Sequence, residues 1–510
     1  MSRTKRFVSG ISFGYASQFL TTVVGLWLTP FLLLRVGQHD YGLWLVGAQL
    51  MFYLALLDLG VIALLPRETA FATGRSSIED SADLPIIVGQ TLRLLLWQTP
   101  LVALVALTAW ATIPNEWEGL RNPIGLVLLA FVLTFPLRIF SSVLLGLQDL
   151  GFLGRLNIVS FLISTAITVA LVLAGWGLNA LAVGWIAAQL IKAGTSWYRL
   201  RAKFPTVLPK SLPKLRWPEA RKRLTSGLWV SLNQIAQVLL SGTEILIIGK
   251  FFGPAAVVPY VCTGKLVNVL ATQPQMFITS ASPALSQMRM GESRERLAQV
   301  CIALGQATLL LSGAVVCIVL AVNQGFVARW VGADQYGGFW LTALLLLSML
   351  IRHWNLTIGY TIFSFGYERR LCVTALLDGA ISIGSVSLLV WLYGLVGAPL
   401  GLIIGVCVIS LPANLTALAR ESGMTVWELV KPLSAWFIRF ALLMLAVGAV
   451  ARIWTPNTVP LLAATVAASA LVYTLVMFPL TLRDPLGIYV RPRLFPLQSW
   501  IRALRPRTSV

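Results

Sequence analysis

The chain has 510 residues, 57% of them hydrophobic and only 11% charged, with a formal net charge of +20. Soluble domains carry about 25% charged residues, so this composition excludes a large soluble domain. The basic excess sits in short segments between apolar stretches, which points to membrane orientation rather than nucleic-acid binding.

About fourteen apolar stretches of roughly 18–30 residues fill the chain, long enough to cross the bilayer core as α-helices. Barrel-type alternation of apolar and polar residues is absent. Lipid then leaves helices as the remaining way to satisfy the backbone. Arg3, Lys5 and Arg6 precede the first predicted span, 11–34, which is too long for a signal-peptide core and ends at Arg35 without a small-residue cleavage pattern. It reads as a retained span. Spans 41–65, 88–112, 123–147, 156–176 and 178–198 follow, and then a basic, Pro-rich segment, 199–224. Beyond it come 225–249, 255–285, 299–322, 339–363, 371–393 and 397–419, and a last pair, 437–454 and 459–482. The expected organisation is a six-helix lobe (1–198), a basic linker (199–224), a second six-helix lobe (225–419), two additional helices (420–482) and a basic tail (483–510).

With the N-terminus inside, thirty Lys and Arg fall on the inner side and five (Arg35, Arg121, Lys250, Arg329 and Arg452) on the outer. That bias predicts cytoplasmic termini. Trp44, Trp110, Trp176, Trp330, Trp340, Trp391 and Trp454 lie near outer span edges, as an aromatic belt requires. The two lobes echo one another. Ser9-Gly10 recurs as Ser226-Gly227, and Gly177-Leu178 with Gly184 recurs as Gly394-Leu395 with Gly401, both at an offset of 217. An even number of spans per lobe makes the repeat parallel, an arrangement used by transporters whose halves rock about a central site.

Ionisable groups within spans are costly, about 2.5–3.5 kcal/mol each, and so ask for a reason. The predicted boundaries put Arg138, Lys265 and Arg352 near mid-depth with no carboxylate at comparable depth. Asp58, Arg93 and Asp378 are expected nearer the inner ends and Glu244 nearer the outer end. Cations lining a wet cavity would attract phosphate. The alternative is internal pairing, for instance Lys265 with Glu244, Arg138 with Asp58, or Asp58 with Arg93. Glu244, Asp58, Asp378 and His353 are the ion-coupling candidates, each also open to a packing role. Pro30, Pro100, Pro136, Pro259, Pro274, Pro283, Pro412 and Pro479 lie within spans and can kink them.

Other chemistry is poorly provided for. There is no G-x-x-x-x-G-K-[ST] phosphate loop, and His39 and His353 are the only histidines. Cys262, Cys301, Cys317, Cys372 and Cys407 form no CxxC pair. The longest expected outer loop, 323–338, is too short to hold an active site. No enzyme activity, metal or bound cofactor is expected.

The segment 28–67 (LTPFLLLRVGQHDYGLW…YLALLDLGVIALLPR) resembles the start of bacterial polysaccharide-repeat-unit flippases of the O-antigen type, within the multidrug/oligosaccharidyl-lipid/polysaccharide exporter superfamily. Gly37 through Tyr41-Gly42, Asp58-Leu59-Gly60, and the run from Glu244 to Gly253 with Tyr260 carry the likeness. The resemblance implies two six-helix lobes around a V-shaped cavity, with two helices appended. It also implies transport of an undecaprenyl-diphosphate-linked oligosaccharide from the cytoplasmic to the periplasmic leaflet of the bacterial inner membrane. Family members are similar in having a cationic lumen, which matches Arg138, Lys265 and Arg352. Two departures stand out: relatives usually carry Asp where Glu244 stands, and many have an Arg within span 1, where this chain has none before Arg35. Coupling to a proton or sodium gradient, and pathway polymerases and glycosyltransferases as partners, are further expectations. An ion-coupled multidrug exporter of the same superfamily and a non-transporting scaffold acting through 199–224 are the alternatives.

Overall fold

The computed structural model describes residues 3–75, 83–240, 242–291 and 293–491. The side chains of Arg3, Lys5 and Arg6, and the tail beyond Arg491, lie outside what it describes. The regular structure of the described residues is all helical, with no strand, and they divide into two compact units, Met1–Val258 and Pro259–Val510.

The first unit contains α1 (Arg3–Val36), α2 (Gln38–Ala55), α3 (Val61–Arg75), α4 (Asp83–Ala111), α5 (Glu118–Thr134), α6 (Ile139–Gly146), α7 (Leu150–Leu173), α8 (Leu178–Lys203), α9 (Trp217–Leu240) and α10 (Thr243–Phe252). It ends in the opening turns of α11 (Pro254–Gly291). Helix α9 lies against the turn that follows α2, and the start of α10 against α2 itself, both through small residues. A Cβ on Gly60 would run into the Gly227 carbonyl of α9 and one on Gly227 into the Leu59 carbonyl, while Gly242 lies directly against the Gln49 amide. The Tyr53 and Thr243 hydroxyls meet at 2.5 Å, and Gln38 Nε2 donates to the Ala255 carbonyl at 2.9 Å. The sequence block 225–249 is therefore grouped with the first compact unit.

The linker is docked over the first turns of α4. Pro209 and Pro213 cover Gly89, Arg93 donates to the Leu212 carbonyl at 3.1 Å, and Val207 is fully buried. Arg223 donates to Thr91 (2.9 Å), Gln90 (3.1 Å) and Glu68 (3.3 Å).

The second unit continues α11 and adds α12 (Arg294–Trp330), α13 (Phe339–Ser364), α14 (Glu368–Tyr393), α15 (Gly397–Gly405), α16 (Leu411–Ser422), α17 (Val426–Val430), α18 (Ser434–Ile453) and α19 (Val459–Thr481). A π-helical turn, Val406–Ser410, joins α15 to α16. Helices α18 and α19 close on α12, where Gly313 leaves room for Trp436 and Tyr473. Trp436 stacks on Phe440 at 4.4 Å.

The helix pairs α7–α8 and α14–α15 are built alike. Gly177 and Gly394 both adopt left-handed conformations (φ 55° and 66°), so each turn needs a residue without a Cβ. Gly184 then packs on Ser164 and Thr168, and Gly401 on Val386. These glycines are related by the 217-residue offset. Gly397, Gly401 and Gly405 face Leu389, Val386 and Ser382 in turn, a descending order that makes α14 and α15 antiparallel. Close approach through small residues is the usual glue of helices in lipid.

By length and composition, eleven helices among the described residues can cross a membrane, or up to twelve if one bent pair is a single span, against the fourteen predicted. Three predicted spans account for the difference. The span 178–198 falls on α8, whose later turns carry Lys192, Arg199, Arg201 and Lys203 and dilute its apolarity. The span 225–249 is broken between α9 and α10. The spans 371–393 and 397–419 run together as one apolar stretch of 54 residues. At about 1.5 Å per residue that is far longer than a bilayer core, and the glycine contacts show it folded back on itself.

Candidate functional site: a buried acid under an arginine in each unit

In the first unit, α2 ends in a 3-10 turn, Leu56–Asp58, followed by Leu59 and Gly60 at positive φ. That break turns the Asp58 carboxylate inward. Its Oδ1 accepts from Gly60 N at 2.9 Å, and Gln98 donates to the Asp58 carbonyl at 3.5 Å. A second break faces it. Pro136 sits in the 3-10 turn Phe135–Arg138, ahead of the eight-residue α6. Arg138 Nη2 lies 3.7 Å from Asp58 Oδ2, with side chains 30% and 4% exposed respectively. The guanidinium also stands over the rings of Phe131 (5.8 Å) and Phe135 (5.9 Å). Its Nη1 has no hydrogen-bond partner among the described residues.

In the second unit, Arg352 projects from the middle of α13 to Asp378 on α14. Nη1 is 3.7 Å from Asp378 Oδ2, with side chains 22% and 1% exposed. Nη2 donates to the Leu402 carbonyl at 3.0 Å. Ser382 donates to Asp378 Oδ1 at 3.0 Å and Ser410 to Oδ2 at 2.6 Å. Ser410 reaches the acid from the last position of the π turn, a geometry frequent at functional sites.

Two expectations about depth are corrected. Arg138 and Arg352 each have a carboxylate within reach, although no acid was expected at their level. Helix α5 begins at Glu118 rather than at 123, so the proline break and Arg138 sit only the length of α6 from the end of that span, within reach of Asp58. Arg93, an anticipated partner of Asp58, instead serves the linker.

The other candidates stand apart. Lys265 is half-buried on α11, with no carboxylate among the described residues within ion-pair distance. Glu244 caps the start of α10 by accepting from Gly242 N at 3.0 Å. His353, 2% exposed, points away from Arg352 and meets the Ser312 hydroxyl at 2.8 Å. No group of three metal-ligating side chains gathers among the described residues.

A family model described as polysaccharide biosynthesis protein matches residues 120–335. No curated protein matches the chain in sequence. Among solved structures, the lipid II flippase MurJ in an inward closed conformation aligns with TM-score 0.64 at 12% identity, over 93% of this chain and 100% of that one. An inward-facing multidrug resistance MATE family transporter of the MOP superfamily aligns with TM-score 0.62 at 13% identity, covering 82% and 98%. An outward-facing one aligns with TM-score 0.53 at 14% identity, covering 82% and 94%. The chain has the fold of a MOP-superfamily transporter.

Within this MOP fold, Ser382, Ser410, Gln98 and the Leu402 carbonyl support the charged pairs. Sequence reasoning missed all four. The one readable signal was the i, i+4 spacing of Asp378 and Ser382, which puts both on one helix face.

Proposed function

We propose that this MOP-fold transporter carries an undecaprenyl-diphosphate-linked oligosaccharide from the cytoplasmic to the periplasmic leaflet of a bacterial inner membrane, for cell-surface polysaccharide synthesis. One observation carries the reading: in each unit a part-exposed arginine lies 3.7 Å from a buried acid, with side-chain exposures of 30% for Arg138 and 22% for Arg352. At 3.7 Å these pairs are longer than charge-assisted hydrogen bonds, which close to about 2.7–2.9 Å. A diphosphate can offer a guanidinium fork two short charge-assisted bonds in place of one long ion pair. The acid thus serves as a resident counter-ion, and the headgroup takes its place during transport. Lys265 adds a point charge without a competing carboxylate.

Ion coupling fits the same pairs. Protonating Asp58 or Asp378 removes the counter-charge and frees the arginine for phosphate, so proton entry favours headgroup capture. Glu244, engaged as a helix cap, and His353, packed on Ser312, are less suited to that role. A multidrug cation exporter would instead want open carboxylates, whereas both acids here face guanidinium groups.

The test is Arg138→Ala and Arg352→Ala, scored by surface glycan and by accumulation of the lipid-linked precursor. Loss of a charge-assisted bond of about 1.5–3 kcal/mol predicts a 10- to 100-fold fall in flux for each. Wild-type glycan and precursor levels in both variants would remove the headgroup site.

A further inference from the structure

The start of α18 and the end of α19, together with Gln306 and Leu310 of α12, line a cavity of about 390 Å³ that the transport site does not use. Lys431 stands just before α18 and Arg483 just after α19, both exposed and both lining it. Gln306 of α12 ties the two rims together. Its Nε2 donates to the Pro432 carbonyl at 3.3 Å, and its Oε1 accepts from Leu486 N at 3.1 Å. The segments bearing the two cations are therefore braced by a single buried side chain.

The charge is left open. The one carboxylate on the rim, Asp484, pairs with Arg491 at 3.4 Å. Among the described residues, neither Lys431 nor Arg483 has an ion-pair partner. The Trp436 ring, 3% exposed, forms the apolar floor of the cavity, packed on Phe440 beside Tyr473. Beside the mouth, α18 and α19 present Ile438, Leu442, Leu475 and Phe478 outward, between 46% and 66% exposed. Two cations, unpaired among the described residues, stand at the ends of two apolar helices, beside an exposed apolar face. That chemistry matches a phosphate diester with acyl chains.

We propose that this cavity binds the phosphate of an anionic membrane phospholipid, held between Lys431 and Arg483 while its chains lie along α18 and α19. By the charge bias of the sequence this is the cytoplasmic side, where basic pockets between helices take anionic headgroups.

The experiment uses the purified full chain in detergent, titrated with phosphatidylglycerol, phosphatidylethanolamine or inorganic phosphate and followed by native mass spectrometry and thermal melting. Lys431→Gln/Arg483→Gln is expected to weaken phosphatidylglycerol binding about 30-fold and leave phosphatidylethanolamine binding unchanged. Both side chains are exposed, so the lipid-free melting temperature should stay near wild type. If the double variant fails to purify, Lys431→Gln alone carries the test, with about a fivefold loss expected. Arg155→Gln/Arg201→Gln, which removes two other exposed cations, should bind like wild type. Four results would overturn the site: wild-type phosphatidylglycerol affinity in the Lys431 and Arg483 variant, an equal loss in the Arg155 and Arg201 variant, equal affinity of wild type for both lipids, or the same stabilisation by inorganic phosphate alone.

Discussion

Replacing Asp378 with Asn removes the counter-charge under Arg352 while keeping the shape of the side chain. Two unit charges about 4 Å apart attract by about 4 kcal/mol at an effective dielectric of 20, and the observed separation is 3.7 Å. Part of that attraction is offset by desolvation, and the arginine's 22% exposure lets solvent screen the pair. A net coupling of about 2 kcal/mol is the reasonable expectation. For a unit of this size, that corresponds to a melting shift of about 4–8 °C. The assay is a double-mutant cycle on the purified protein: Asp378→Asn, Arg352→Gln and the two combined, melted in the same detergent. Each single variant should lose stability, the double variant should lose less than their sum, and transport should stay low whenever Arg352 is replaced. Losses that simply add would show that the two side chains do not sense one another.

Two further predictions rest on packing. Gly401→Val and Gly184→Val should each destabilise the protein by about 3 kcal/mol or more, read as lost folded yield, because their side chains would meet Val386 backbone and Thr168 respectively. Gly384→Ala is the control: it has open space beside it and should gain up to about 1 kcal/mol in helix propensity. Arg93→Ala removes the bond to the Leu212 carbonyl and should undock the linker, so trypsin should cut faster after Lys210 and Lys214; an unchanged digestion rate would mean that Pro209, Pro213 and Val207 hold the segment alone.

The positions of most helices were legible because apolar length is a strong signal: the predicted 459–482 is α19 within a residue, and 339–363 is α13. The 217-residue echo was legible too, because Gly177 and Gly394 each hold a backbone conformation that other residues resist. The pairing of charges was not. Depth read from sequence counts Cα positions along a straight helix, whereas the guanidinium tip lies well away from its own Cα. Pro136 and the Leu59-Gly60 turn also break the helices that carry Arg138 and Asp58. Those prolines and glycines were visible, but the direction in which the broken ends face depends on neighbours far away in sequence. Ser410 was hidden for a related reason. Its contact with Asp378 depends on a π turn that no local pattern announced.

That π turn also sets the rotational phase of everything beyond it. An α-helix advances about 100° per residue, and the widened turn from Val406 to Ser410 absorbs one residue before α16 begins. Asn414 then meets Asn355 at 2.8 Å, and the Ala413 carbonyl receives Arg370 at 2.9 Å. Deleting a single residue within 406–410 would keep the span apolar and helical. It would also swing both contacts about a quarter-turn out of line, uncoupling α16 from α13 and α14.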